Sequence, residues 1–510
     1  MKKMTKNLVW LMALVVLALN LTSCSGRDKA DLLACAPAEA EVVLLLDAQE
    51  VWDQLEIKKK GDSFNYCTEL DKILNLIGAK RSEVNQVLEC LDETQKSMLA
   101  FTYKEQVWIT FFIRDTDEFV DVIEDIAEEN GQKISFSGYN DFLCWERMAI
   151  RDNQVWAQIP MHGSQDQIDV RALEDLYQLK GENRFVKEYD DIASEMLASD
   201  GLVSLYVNIN GVMSLGDISP DQRAMLNMAL GTVYDDARSV LITSRLNNDG
   251  LSAETRVLNS KQKNAKYLLP TATIKEGELS KVNCNAPLVG AIAIPNELMK
   301  KVTALIAQMQ GGSINASEQP IVDLLNSLGG TIALSMESQM DYTVSIGFID
   351  ANAASTAGNI IASLMGQGNP VSVSAAGNYL IIRSNDKQVS GGTMPKGFAG
   401  QYSAVWIDPS KVSDKLVKGY NFSKFGTLLT TAGPEGDGMV TRSEWKLKSP
   451  MRTLLIEAMN ITNAVVAGQI QPGTAFEQMY APVQETYTFE DDVYAESAVA
   501  ASYEEDIYNY

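Results

Sequence analysis

Glu41-Val-Val-Leu-Leu-Leu-Asp47 sets an apolar run between two acids, and this stretch decides the reading of the fold. An apolar run this short, closed by charge at both ends, reads as a buried strand rather than a helix. Helical segments are expected across 48–90, then two strands at 98–103 and 107–114. The same succession of strand, helix and hairpin returns three times. The second copy has a strand at 202–208, a helix from about 221 to 230, and strands at 239–246 and 251–258. The third has a strand at 288–294, helices at 296–310 and 320–328, and strands at 331–336 and 342–349. The fourth has a strand at 402–407, a helix from 409 to about 418, and strands at 425–431 and 439–447.

The hairpins carry the period of a sheet with one wet face. Met439, Thr441, Ser443, Trp445 and Leu447 alternate with Arg442, Glu444, Lys446 and Lys448, so the charged set is expected in solvent. Asn247-Asn248-Asp249-Gly250 and Glu435-Gly436-Asp437-Gly438 both end in Asp-Gly, which suits a tight hairpin. Copies one and three continue into a further helix and strands, and copies two and four stop short. This long-short-long-short order predicts an α+β fold of duplicated modules, each an antiparallel sheet with helices packed on one face. The expected units are 37–165, 166–270, 286–400 as a repeat of the first, and 401–470 as a repeat of the second. Asp47 with Asn296, and Asn208 with Asp408, are expected at equivalent helix starts.

Both ends of the chain read differently. Lys2, Lys3 and Lys6 precede an apolar stretch over 8–21, then Leu21-Thr22-Ser23-Cys24. A positive start before an apolar core is an export signal. Fourteen residues make about 21 Å of helix, short of the roughly 30 Å of a bilayer core. The tetrapeptide resembles the lipobox of bacterial lipoproteins. That resemblance implies that 1–23 is a cleaved signal peptide and that Cys24 is lipidated, with a diacylglycerol on sulfur and a third chain, such as palmitate, on its amine. Several chains are what stable anchoring requires. Residues 24–36 read as a tether. Ser25 rather than Asp comes after the cysteine, which by the same resemblance points to the outer membrane. The mixed charges of Arg27-Asp28-Lys29 favour its periplasmic face. At the other end, 471–510 holds nine acids, six tyrosines and no Lys or Arg. It reads as an acidic, Tyr-rich disordered tail whose aromatics could serve as contacts for a basic partner.

A net charge of −24 repels nucleic acid. Cys35, Cys67, Cys90, Cys144 and Cys284 form no CxxC; Cys67 with Cys90 is the first pair to test for a disulfide, and buried free thiols are at least an equal expectation. His162 is the only histidine, so HExxH and His-rich zinc sites are excluded, and no Gly-x-Ser-x-Gly, Walker A or GxGxxG sequence occurs. No catalytic, cofactor-binding or metal-binding residues are therefore assigned. Asp47 and Asp408 each end an apolar strand and have the chemistry of a glycosidase pair, but Asp at that place is a favoured helix cap.

The lipobox, the opening Ala36-Pro37-Ala38-Glu39-Ala40 before an apolar strand, and the repeated layout resemble the uncharacterised large envelope lipoproteins of Bacteroides-type bacteria. The expected protein is a lipid-anchored cell-envelope protein that binds a macromolecule or glycan without catalysis. Its rivals are a carboxylate-based polysaccharide hydrolase and a purely structural envelope component. Replacing Cys24 with Ala should leave unprocessed precursor without acyl chains, seen by acyl labelling and mass. Normal processing of that variant would overturn the assignment.

Overall fold

The computed structural model describes residues 29–47, 52, 55–61, 63–77, 80–90, 97–161, 167–198, 201–215, 218–247, 250–309, 319–338, 341–365, 371–384, 392–411, 417–418, 426–447, 456, 459–460 and 471–472. Eighteen strands join in one sheet. In chain order they are β1 (Val42–Asp47), β2 (Ser97–Tyr103), β3 (Gln106–Phe112), β4 (Ser137–Tyr139), β5 (Phe142–Trp145), β6 (Met148–Arg151), β7 (Gln154–Pro160), β8 (Val203–Asn208), β9 (Ser239–Asn247) and β10 (Gly250–Leu258). Next come β11 (Leu288–Ile294), β12 (Leu328–Ser338), β13 (Asp341–Phe348), β14 (Ser372–Ala376), β15 (Tyr379–Arg383), β16 (Ser403–Ile407), β17 (Thr427–Glu435) and β18 (Gly438–Lys446). The helices are α1 (Lys29–Leu33), α2 (Thr68–Ile77), α3 (Arg81–Cys90), α4 (Thr116–Glu129), α5 (Val170–Tyr177), α6 (Phe185–Glu188) and α7 (Asp190–Ala198). The later ones are α8 (Ile209–Leu215), α9 (Pro220–Val233), α10 (Asn296–Met309), α11 (Gln319–Asn326) and α12 (Ala351–Met365).

The strand order shows the duplication. From the middle of the sheet outward, one half runs β10-β9-β8-β1-β2-β3-β7-β6. The other runs β18-β17-β16-β11-β12-β13-β15-β14, the same order strand for strand, and every pairing is antiparallel. The first half adds the hairpin β4–β5 outside β6. Small contacts repeat as well. Asn208 N donates to Glu41 O and Asp408 N to Pro287 O, both at 2.7 Å. Asp115 accepts from Glu118 N at 3.0 Å at the start of α4, and Asp350 from Ala353 N at 2.8 Å at the start of α12. In each case a carboxylate satisfies a helix-start amide that has no partner within the helix.

The repeat also reaches further upstream than 286. Ala36 N donates to Leu33 O at 3.2 Å, and Val282 N to Leu279 O at 3.1 Å. Leu33, Ala36, Leu279 and Val282 are all buried. The stretch read as a tether up to residue 36 is therefore docked from Lys29 on, because Leu32 and Leu33 plug the core. Three further expectations change. Asn208 and Asp408 are equivalent, but the pairings Val42↔Val207 and Leu288↔Ile407 match Asp47 to Ala293, three residues before Asn296. Residues 48–90 are not helical throughout, since Lys58–Lys60 pairs with Ser63–Asn65. Of the helix expected from 409 to about 418, the described residues hold a 3-10 turn over Pro409–Lys411, and Val417–Lys418 at its far end pairs as a strand with Gln471–Pro472.

Helices cover one face of each half. In the first, α2, α3 and α4 bury Leu74, Val87, Phe119, Ile123 and Ile126 against Ile109, Phe111 and Ile150. In the second, α11 and α12 pack on Phe348, Ile346 and Leu380. The first half adds a helical layer on the opposite face, where α1 and α5–α7 cover Phe101, Trp108, Trp156 and Tyr206. The same face of the second half has no such layer among the described residues. There Leu279 from a 3-10 turn over Glu278–Lys281, with Ile274, Met394 and Phe398 from irregular chain, covers Val289, Ala291 and Ala404. None of the helices described is long and apolar enough to cross a membrane.

The halves meet where β10 pairs with β18. The β9–β10 register ends at Asn247↔Gly250 and the β17–β18 register at Glu435↔Gly438, so Glu254 and Arg442 are equivalent positions. These two residues face each other across the junction, and Arg442 Nε lies 2.9 Å from Glu254 Oε2. Glu254 also holds Arg256 Nε at 3.3 Å. At the end of this pairing Gly250 has φ +145°, and a Cβ there would stand 1.7 Å from the Trp445 carbonyl oxygen. Gly250→Ala should lower stability by roughly 2–4 kcal/mol, combining backbone strain and overpacking, as a fall in the urea midpoint. An unchanged midpoint would show that the junction does not limit stability.

Candidate functional site: an open aromatic cleft in the second half

β16, β17 and β18 place Trp406, Leu429 and Glu444 abreast on one face, and Thr427 beside Lys446. This is the charged face that the alternation of β18 predicts: Arg442, Glu444 and Lys446 are exposed, and Thr441, Ser443 and Trp445 half-buried. Two loops close over it. After β16, the Asp408 carboxylate accepts from Ser410 N at 3.1 Å and from its hydroxyl at 2.5 Å. That turn brings the Lys411 ammonium to 4.8 Å from the centre of the Trp406 ring. Lys411 is held there by Asp408 Oδ2 at 3.4 Å and by donation to Asn285 O at 3.0 Å. The second loop is pinned by buried Phe398 and brings Lys396 to the rim. Gly397 permits this approach, with φ +99° and a virtual Cβ only 3.0 Å from Leu429 Cδ2.

The result is a cleft of about 550 Å³ with Trp406, Lys396, Lys411, Lys446 and Glu444 in its lining. Lys446 is 3.0 Å from Glu444 Oε2. Lys396 is exposed and has no acidic partner among the described residues. A chain with net charge −24 thus gathers three ammonium groups around one aromatic face. Such a floor suits a ring or planar group that carries carboxylate, sulfate or phosphate. Cys284 at the back donates to Leu279 O at 3.7 Å, and burial pushes its thiol pKa up, so it remains the protonated, weakly reactive form.

The first half shows the same position closed. Asn208 matches Asp408, so Tyr206 matches Trp406, and the β9 residue Leu241 matches Leu429. Tyr206 is 1% exposed, and the rings of Phe185 and Tyr189 each lie 5.0 Å from it. Those rings come from α6 and the residue after it, in the helical stretch between β7 and β8. The corresponding stretch between β15 and β16 has no helix among its described residues. The cleft is the space that such helices would fill.

Comparison with known proteins adds no assignment. No family model matches the chain. No curated protein matches it either. The solved structures that resemble it weakly include crystal forms I and III of TP0453. Form I is 10% identical, covers 69% of this chain and 91% of its own, and has a TM-score of 0.25. Form III is 11% identical, with 69% and 92% covered and a TM-score of 0.23.

Of the residues singled out in the sequence, Cys284, Glu444 and Lys446 line the cleft and Asp408 holds Lys411 beside it. Cys24, His162, Asp249 and the tail over 473–510 are outside the described residues. Asp47 pairs with Lys29, and Asp408 shapes the Lys411 turn. Six strand steps separate β1 from β16, about 29 Å along the sheet at the usual spacing, whereas a glycosidase pair needs roughly 5–9.5 Å. Cys67 and Cys90 are not joined; all five described cysteines are free. Trp406 and its lysines escape a reading of the sequence, since each lies in or beside an expected strand or loop with no motif to mark it.

One buried thiol and two buried phenols predict a pH dependence. Burial pushes Cys90 up to about 12 from an ordinary value of 9.0, and Tyr66 and Tyr177 up to about 12 from 10.0. The folded state keeps these protons longer than the unfolded chain. Their stabilisation is therefore complete below about pH 9 and is lost as the pH climbs towards 12. The urea midpoint should fall over that interval, and less steeply in Cys90→Ala. Equal slopes in the two proteins would remove Cys90 from the account.

Proposed function

We propose that this protein is a lipid-anchored binding protein of the cell envelope, tethered through Cys24, that holds an acidic glycan or protein segment in the Trp406 cleft without chemical turnover. The observation that carries this reading is the contrast between Tyr206 and Trp406, which hold equivalent places in the two halves. One aromatic is sealed beneath Phe185 and Tyr189, and its equivalent is only half-buried, with the Lys411 ammonium over its ring and Lys396 and Lys446 in the same cleft. Three ammonium groups in so acidic a chain favour anions at that one place, while the remaining surface repels them and so lends selectivity. The ring supplies a stacking surface for a sugar or aromatic group. Attachment at the membrane suits capture of a large partner, and the negative net charge argues against nucleic acid as that partner.

The test uses the full chain with oligogalacturonate as an acidic probe and dextran fragments of equal length as a neutral one, at about 50 mM salt. Oligogalacturonate should bind, dextran should not, and Lys396→Glu or Trp406→Ala should weaken binding at least tenfold. Lys396 is exposed, so its replacement leaves the core untouched. Equal binding of both probes, or no effect of either variant, would overturn the reading. Shortened oligogalacturonate products would replace it with the hydrolase.

A further inference from the structure

We infer that the resting occupant of the Trp406 cleft is the chain's own acidic, Tyr-rich end, residues 473–510, seated in cis. This rests on the reading of the cleft as an anion and ring site and names what fills it first.

Charge is the first argument. The cleft presents Lys396, Lys411 and Lys446, and residues 473–510 carry nine acids with no Lys or Arg. Two stretches set tyrosine directly beside acids, Glu490-Asp491-Asp492-Val493-Tyr494 and Tyr503-Glu504-Glu505-Asp506-Ile507-Tyr508. Either offers a ring for Trp406 and, next to it in the chain, carboxylates for the lysines. Opposite charges close to a low-dielectric wall attract more strongly than the same pair in open water.

The internal repeat is the second argument, because it shows what a filled site looks like. Over Tyr206 the occupants are aromatic side chains of the same chain, Phe185 and Tyr189, with ring centres 5.0 Å away. Over Trp406 no aromatic ring stands among the described residues, and Lys411 takes the ring face instead. A tyrosine from the acidic end restores the aromatic contact, and its flanking acids meet the lysines that the first half does not have at this place.

Geometry is the third. Gln471–Pro472 pairs with Val417–Lys418, and Val417 is six residues from the cleft residue Lys411, so at most about 21 Å separates them. Thirty-eight residues follow Pro472, with a maximal reach of about 125 Å. Tethering at that range gives millimolar effective concentration, enough for a weak contact to stay occupied and still yield to a tighter ligand.

The full chain carrying the photo-crosslinker p-benzoylphenylalanine at Tyr494, and in a second protein at Tyr503, tests this directly. Illumination and then peptide mapping should give intramolecular crosslinks from at least one position to 396–411 or 444–446, lost in Lys396→Glu/Lys446→Glu. Crosslinks only elsewhere, only to a second copy, or unchanged in that variant would overturn the inference. A parallel measurement separates it from the cleft reading. Changing the nine acids of the end to Gln and Asn should raise oligogalacturonate affinity at least tenfold. Measurable but equal affinity overturns the cis occupant and leaves the cleft standing. If neither protein binds the probe while the crosslinks form as expected, the cleft is the seat of the tail and the ligand class is wrong.

Discussion

The antiparallel pairing of β10 with β18 is the constraint on which the molecule rests. Each half ends in a hairpin whose last strand would otherwise be a free sheet edge, with a row of unpaired amides and carbonyls open to any other strand. Joining the two edges satisfies both and makes one sheet of eighteen strands. Because the halves share one topology, the junction has a centre where equivalent residues meet, and a like charge there would face itself. The chain places Glu254 against Arg442 instead. The pair is partly exposed and stabilises only weakly, but it favours the joining of unlike halves over either half with its own copy.

Once the sheet is continuous, what covers it decides where a site can form. On the face of α2–α4 and α11–α12 both halves are capped in the same manner. On the other face they diverge. The long stretch between β7 and β8 folds α5, α6 and α7 over Tyr206 and Trp156. The short stretch between β15 and β16 supplies Met394 and Phe398 but no comparable lid among its described residues. A duplicated fold with one copy of a lid leaves a cavity in the other copy, and here the cavity acquired charge. Lys396 comes from the shortened loop, Lys411 from the turn after β16, and Lys446 from the wet face of β18.

Much of this architecture is legible in the chain itself. Strands of alternating polarity, Asp-Gly turns and long-short-long-short spacing are local signals, and local signals survive duplication. Asn208 and Asp408 match as expected because each follows an apolar strand. Asp47 and Asn296 do not, because equivalence is set by register across β1 and β11, which no single strand reveals. The Lys104-Glu105 hairpin turn has φ of +51° and +58° without glycine or asparagine, so nothing in its residues marks it as that kind of turn. The docking of α1 is hidden because Leu32 and Leu33 follow Lys29 and Asp31, in a stretch whose charges suggest a tether.

The sequence by itself determined the class of fold and its duplication, since both are written in neighbouring residues and their periods, and it alone carries the expectation of an export signal and a lipidated Cys24. Only the tertiary structure decided that the two modules share one sheet and that Cys67 and Cys90 remain apart. It alone placed a half-buried Trp406 in one cleft with three lysines. Those facts depend on residues brought together from Cys284 to Lys446, and contact between distant segments follows from register and coverage, which no local pattern encodes.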